Sequence, residues 1–256
     1  MILATYNVNG VRARLPIILK WLEMRRPDVL CIQETKVQDA EFPSDAFKRA
    51  GYHCAFRGQK AYNGVAILSR RTPADVSFGL DSKPADESRL VRVSISGVNI
   101  INTYVPQGRA PDSEFFQYKL DWFARLKRYF AAHFNSNDPL VWVGDLNIAP
   151  EPRDVHSPDT LLGHVCFHPE VHDALTNIMQ WGLVDVFRQH CDEPGRYTYW
   201  DYRVRNAVRS NRGWRLDHVM ATAPLAQKCT DCVIDTEPRL WERPSDHTPV
   251  VATFTL

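Results

Sequence analysis

The sequence predicts an α/β protein in which sheets are covered by outer helices. Three observations carry that expectation. Short runs of β-formers alternate with helical stretches along all 256 residues. Neighbouring strands are joined at hairpin-type turns, and one amphipathic helix is much longer than the rest. No internal repeat, low-complexity stretch or Gly/Ser- or Pro-rich linker interrupts this pattern, so one domain spanning 1–256 is expected. The composition, 44% hydrophobic and 24% charged, is that of an ordinary globular protein. No run reaches the roughly 18 apolar residues that a membrane span requires.

In chain order, residues 1–8 read as a strand that starts directly from Met1, without a basic leader or cleavage site. Residues 16–25 read as a helix with Pro16 in its first turn and Ile17, Ile18, Trp21 and Leu22 sharing a face. Residues 28–33 form a buried strand, and 65–69 another after the Asn63-Gly64 turn. Strands at 90–95 and 98–105 flank Ser96-Gly97, a two-residue hairpin. The long helix spans 113–134, capped by Ser113, with Phe116, Leu120, Phe123, Lys127 and Phe130 at helical spacing. An apolar strand at 140–143 stops at Gly144, residues 170–181 are helical, and 214–220 and 250–254 are late strands. Six cysteines lie scattered in apolar or irregular stretches. Cys229-x-x-Cys232 has zinc-like spacing, but no second pair follows it, so buried free thiols in a reducing compartment are expected.

The chemistry gathers where these apolar strands stop. They end in Asn7-Val8-Asn9-Gly10, Gln33-Glu34-Thr35-Lys36, Tyr104-Val105-Pro106 and Gly144-Asp145-Leu146-Asn147. Two further stretches are Trp214-Arg215-Leu216-Asp217-His218 and Ser245-Asp246-His247. Strand ends bring distant residues together while the loops stay variable. The pooled groups are four carboxylates (Glu34, Asp145, Asp217, Asp246), two amides (Asn7, Asn147), Tyr104 and His247. Such a hard-oxygen set suits Mg²⁺, or Mn²⁺, rather than zinc. Phosphodiester hydrolysis asks for such a metal, an activated water and donors facing the developing charge. Each motif alone is also compatible with a turn, a cap or a satisfied core residue; the ordered combination is what carries weight.

In that order and over the whole chain, the six motifs resemble the signature blocks of the exonuclease III family of abasic-site endonucleases, a branch of the endonuclease/exonuclease/phosphatase superfamily. Tyr62-Asn63-Gly64-Val65-Ala66 also resembles a family segment. The resemblance implies a four-layered α/β sandwich, with two packed mixed sheets flanked by helices. It further implies a metal set drawn from Asn7, Glu34, Asp145, Asn147, Asp246 and His247. Glu34 would bind the metal with Asn7 beside it, Asp145 would activate or position the attacking water, and Asn147 would orient phosphate or water. His247 would donate to a phosphate oxygen, with Asp246 fixing its tautomer from behind. Tyr104 would sit by the scissile phosphate. Asp217 would complete the cluster, as an acid/base or as a second metal's ligand.

The net charge of +1 says nothing about nucleic acid on average. Locally, Arg203, Arg205, Arg209, Arg212 and Arg215 occupy a window with no acid between Tyr202 and Asp217. Tyr197, Tyr199, Trp200, Tyr202 and Trp214 are interleaved with it or adjacent. Arginines suit phosphates, and aromatics supply surfaces for sugars and bases. By resemblance, Tyr199, Trp214 and Leu216 form the apolar wall that receives an extruded abasic sugar, with Arg203 and Arg212 nearby. Arg12, Arg14, Lys36, Arg57 and Lys60 are further candidate phosphate contacts. His164 and His168 fall in a loop that in this family lies close to the damaged nucleotide. A bulky side chain there would hinder an internal abasic site while leaving a 3′ end accessible. The expected partner is double-stranded DNA with an abasic site or a 3′ end, met by a monomer, with no membrane involved. A cytoplasmic, nucleoid-associated protein of bacterial type fits the same resemblance. Competing readings are a 3′-end-processing enzyme with little endonuclease activity, a small-molecule phosphoesterase of this fold, and a non-catalytic DNA-binding protein.

Overall fold

The computed structural model describes residues 1–81 and 86–256. The chain opens with β1 (Ile2–Asn7), α1 (Val11–Arg25), β2 (Val29–Gln33), α2 (Ser44–Arg49), β3 (His53–Arg57), β4 (Val65–Ser69) and β5 (Ala74–Phe78). It continues through β6 (Leu90–Ile95), β7 (Val98–Tyr104), α3 (Glu114–His133), β8 (Leu140–Asp145), α4 (Pro158–Leu161), α5 (Pro169–Met179) and β9 (Leu183–Asp185). The last elements are α6 (Val186–His190), β10 (Asp217–Thr222), α7 (Ala223–Ala226), β11 (Cys229–Ile234) and β12 (Val250–Phe254).

These strands build two mixed six-stranded sheets, ordered β11-β12-β1-β2-β4-β3 and β5-β6-β7-β8-β10-β9. Each holds one parallel pair, β1 with β2 and β7 with β8, and its other neighbours run antiparallel. The inner faces meet in one apolar cluster, where Leu3, Cys31, Ile67 and Val250 of the first sheet face Val93, Ile100, Val143 and Val219 of the second. Ile18, Trp21 and Leu22 of α1, with Phe47 of α2, cover the outside of the first sheet. Phe116, Phe123 and Leu126 of α3, with Val171 and Leu175 of α5, cover the outside of the second. The result is the four-layered sandwich that the sequence led us to expect.

A polar staple crosses the otherwise apolar seam. Gln33 donates to Asn102 Oδ1 at 2.6 Å, and the Asn102 amide donates to the carbonyls of Ile32 and Ala66, each at 2.9 Å. Each of these groups would be costly if left unpaired in this core. These bonds tie β7 of the second sheet to β2 and β4 of the first.

Several local expectations shift. The first helix starts at Val11, not residue 16, because it leaves directly from the Gly10 turn without a side-chain cap, placing Pro16 inside it. The buried stripe of α3 passes through Phe116, Lys119, Trp122, Phe123, Leu126 and Phe130 rather than through Leu120 and Lys127. The last sheet strand of the aromatic segment begins at Asp217; Trp214 makes only isolated bridges, to Val155 and Tyr199. Cys229 and Cys232 are free thiols on β11. Among the described residues, no helix is long and apolar enough to cross a membrane.

Candidate active site

The carboxyl ends of the two parallel pairs meet at one edge of the sandwich. Register places Asn7 beside Gln33 on the first sheet, and Tyr104 beside Asp145, itself beside Asp217, on the second. Asn7 spans the gap between the sheets. Its amide nitrogen donates to Glu34 Oε1 and Asp145 Oδ2, each at 2.9 Å. Its carbonyl oxygen accepts from the Asn9 backbone at 3.0 Å, so the amide's orientation is fixed.

Glu34 follows β2 with φ 53°, in the left-handed region that non-glycine residues avoid. Its carbonyl accepts from Gly10 at 2.8 Å, and the next two peptides are held by the Asn63-Gly64 turn. Gly64 is required there, because a Cβ would lie 1.9 Å from Thr35 Oγ1. The turn expected from sequence is therefore a brace for the Glu34 loop. On the second sheet, Gly144 has φ 140°, and a Cβ there would meet the Thr103 carbonyl at 1.9 Å. Glycine permits the close approach of β7 and β8 that aligns Tyr104 with Asp145.

The electrostatics are those of crowded carboxylates. Burial opposes ionisation of Glu34, but the Lys36 ammonium, 2.6 Å from Oε2, and the Asn7 amide hold it below its ordinary value. For Asp145 the balance falls the other way. Burial, together with Asp217 and Glu34, pushes it up to about 7 against the opposing pull of His247 and Asn7. For His247, burial works against the charged form, yet Asp217, then Asp145 and Asp246, raise it to about 10. Tyr104 is held well above its ordinary value by burial and by Glu34 and Asp145, so its hydroxyl stays protonated. Oδ1 of Asp217 is a buried acceptor without a hydrogen-bond partner among the described residues.

His247 corrects one sequence expectation. Its Nδ1 donates to Asp217 Oδ2 at 2.7 Å, so Asp217, not the adjacent Asp246, fixes the ring. Asp246 instead accepts from Asn9 Nδ2 at 2.9 Å. Both side chains line the cavity, but only Asp217 meets the His247 ring at hydrogen-bond distance. His247 Nε2 is left 3.8 Å from Asp145 Oδ2.

The donor set fits a divalent cation. Ligand atoms of Glu34, Asp145 and His247 all lie within 4.8 Å of one another. Because Asp217 keeps His247 charged, Glu34 and Asp145 are the members of this trio suited to a hard cation, which would also relieve their repulsion. The remaining metal candidates also make hydrogen bonds within the site. Asn7 donates to both carboxylates, the Asn147 amide nitrogen donates to the Val105 carbonyl at 3.0 Å, and Asp246 pairs with Asn9.

Glu34, Tyr104, Asp145, Asn147, Asp246 and His247 line a cavity of about 480 Å³, with Asn7 and Asp217 held behind them. Tyr199, Trp214 and Leu216 line it, as do Arg203, Val204 and Arg212. Arg203, Arg205, Arg209 and Arg212 are exposed, and Arg203 chelates Asp201. Arg215 is not part of this group. It is 1% exposed and paired with Asp154 and Asp185. Trp214 and Leu216 face the cavity, so the alternation of an extended segment turns Arg215 inward.

His164 lines the cavity with its ring 4.8 Å from that of Trp214, whereas His168 does not. His168 caps α5, accepting from the Glu170 backbone, and packs edge-on against Phe116. Of the other basic candidates, Lys36 sits in the site, while Arg12 pairs with Glu41 and Arg57 with Glu87. Arg14 binds the Tyr202 hydroxyl, and Lys60 is exposed. Sequence reasoning passed over Asn9, Cys166 and Lys119. For Lys119 a signal existed, a cation three residues after Phe116 on the buried face of the long helix.

Residues 4–247 match the model of a family described as Endonuclease/Exonuclease/phosphatase. The chain is 32% identical over 263 aligned positions to exodeoxyribonuclease III of Haemophilus influenzae, covering 98% of each. Its structure superposes with a TM-score of 0.98 on an AP endonuclease from Archaeoglobus fulgidus, with 52% identity and all of both chains covered. It also superposes on a Neisseria 3′ phosphatase bound to a product DNA hairpin, with a TM-score of 0.96, 38% identity and full coverage of both.

Proposed function

Because the chain belongs to the endonuclease/exonuclease/phosphatase family, we propose that it is a Mg²⁺-dependent DNA-repair phosphodiesterase of the exonuclease III type, acting at abasic sites, at 3′ ends, or at both. Mn²⁺ would serve the same oxygen donors. One observation carries the reading. The carboxylate–histidine cluster opens into the same cavity as the Tyr199–Trp214–Leu216 wall and the Arg203/Arg212 rim.

Glu34 and Asp145 would hold the cation, which when bound supplies Lewis-acid stabilisation of charge on the phosphoryl oxygens. Asn7 keeps the two carboxylates at a fixed separation. Asp145, beside the cation, would activate or position the attacking water. His247 donates through Nε2 to a non-bridging phosphate oxygen, and Asp217 holds it charged and oriented from Nδ1. Tyr104 offers a protonated hydroxyl to the same phosphate. Asn147, pinned through its backbone N–H to Asp145 at 2.9 Å, orients phosphate or water.

An extruded abasic sugar is small enough for the apolar wall, and extrusion is cheapest where no base is stacked. The exposed arginines contact phosphates and add affinity without reading sequence. The site draws on both sheets, which supports 1–256 as one domain. Action as a monomer, and cytoplasmic action on nucleoid DNA, belong to the same reading.

The position of His164 favours a second version, in which its ring narrows the pocket and only 3′ ends react. Two labelled duplexes with Mg²⁺ separate the versions, one with an internal abasic analogue and one with a nick ending in 3′-phosphate. EDTA and Asp145→Asn serve as controls. Cleavage of the first supports the endonuclease; reaction of the second alone supports end processing. No Mg²⁺-dependent reaction on either would overturn the proposal.

A further inference from the structure

Lys119 has a chemical environment that the roles above leave unexplained. It lies on the core face of α3 with no exposed surface. Its ammonium donates to the carbonyls of Val165 at 2.6 Å, Asn147 at 2.7 Å and Gln107 at 3.3 Å. All three N–H groups are thereby committed to backbone oxygens.

Those carbonyls belong to three separate segments: the loop after β7, the loop after β8, and the loop before α5. Each segment contributes to the cavity lining, through Gln107, Asn147, and the pair His164 and Cys166. The last two loops also meet where the Ala149 amide donates to the Cys166 carbonyl at 2.7 Å. Asn147 has φ 50°, in the left-handed region that asparagine tolerates better than most residues. Its N–H is bound to Asp145, its side chain to Val105 and its carbonyl to Lys119.

An ammonium is the one side-chain group that directs three donors from a single atom. A hydroxyl or amide at this point would leave one or two of the carbonyls buried and unpaired. Burial disfavours the Lys119 charge, and the field of Asp145 favours it.

We propose that Lys119 is a positioning residue of the active site, a buried three-way clamp that holds the Asn147 turn and the His164–Cys166 wall in register with the loop after Tyr104. The proposal rests on the DNA-phosphodiesterase reading for its catalytic consequence, but not for the clamp itself.

Lys119→Met removes the donors at nearly constant volume, and Lys119→Gln keeps two of them on a shorter arm. Both are compared with the full-length wild-type chain, below each variant's Tm. The readouts are kcat and KM with Mg²⁺ on the duplex that wild type cleaves, Kd for that duplex in EDTA, and hydrogen exchange of the Ala149 amide. The clamp predicts a fall in kcat of roughly tenfold to a hundredfold for Met, the range found when a group orienting a reactive residue is lost. The Gln variant falls between Met and wild type. Kd changes less than about threefold, and Ala149 exchange quickens about tenfold or more.

A folded Met variant with unchanged kcat and unchanged Ala149 exchange would overturn the proposal, even with a lowered Tm, because Lys119 would then only stabilise the fold. Should Met fail to fold, the Gln variant decides by the same two numbers. If wild type itself cleaves neither duplex, the DNA reading fails while Ala149 exchange still reports on the clamp.

Discussion

Replacing Asp217 by Asn tests the assignment that most changed between sequence and structure. The substitution keeps the size of the side chain and removes its charge from the 2.7 Å contact with His247 Nδ1. The span from an ordinary 6.5 to about 10 corresponds to about 5 kcal/mol in favour of the imidazolium. Burial opposes that preference, and Asp217 heads the groups that create it. Breaking a buried charge pair from one side costs about 3–5 kcal/mol, so loss of this partner should lower His247 by two units or more, to about 8 or below. A raised histidine keeps its charge below its folded pKa and loses it as pH rises through that value. Wild type should therefore hold the imidazolium to about pH 10, while Asp217→Asn sheds it from about pH 8 upward. Expected is a loss of roughly 10–100-fold in kcat/KM near neutrality from misorientation of the ring. Above about pH 8 a further alkaline decline, close to tenfold per pH unit, should appear that wild type lacks. Single-turnover cleavage with Mg²⁺ across this range, on the duplex the wild type accepts, measures both effects. A variant profile parallel to that of wild type would refute the Asp217–His247 linkage.

Three further outcomes are expected. Gly144→Ala should destabilise the protein by about 4 kcal/mol or more in urea unfolding, because its Cβ would lie 1.9 Å from the Thr103 carbonyl at φ 140°. Arg212→Ala should weaken DNA binding uniformly across sequences and reduce the log Kd versus log salt slope by about 0.9, one phosphate contact's worth, in a fluorescence titration. His218, fully buried, accepts from Arg215 at Nδ1 and donates from Nε2 to the Ile148 carbonyl, which fixes the neutral form; burial and Arg215 lower it to about 4. The unfolded chain then binds a proton that the native one refuses. Stability from this group is present above about pH 6.5 and falls by about 3 kcal/mol as pH drops through about 4, a slope that denaturant titrations of His218→Gln should lack.

Apolar runs that stop abruptly at amides and acids pick out most of the groups that the fold brings together, because a strand's end is visible wherever burial stops. What one dimension hides is which side of an extended segment a residue faces, and what lies across from it. The resemblance assigns Asp246 to His247, whereas the partner in the fold, Asp217, sits 30 positions away on the other sheet. Arg215 was grouped with its neighbouring arginines, although a period-two reading from Trp214 and Leu216 would have turned it inward. His168 resembled a pocket residue because a histidine N-cap has no distinctive sequence pattern, and only the helix that follows reveals it. The start of α1 was misplaced for a related reason: a glycine turn launches it, so no capping side chain announces it.

The Gln33–Asn102 staple has a bearing on catalysis that its distance from the cavity conceals. Asn7 and Glu34 are carried by one slab, and Tyr104, Asp145 and Asp217 by the other, so the reacting constellation exists only while the slabs do not slide. A shear of an ångström along the seam would leave each slab well folded and the constellation misaligned. Alignment of the two slabs is in that sense a rate parameter, set by a few buried amides. Substitutions at that seam belong with those of the cavity when turnover, rather than folding, is what changes.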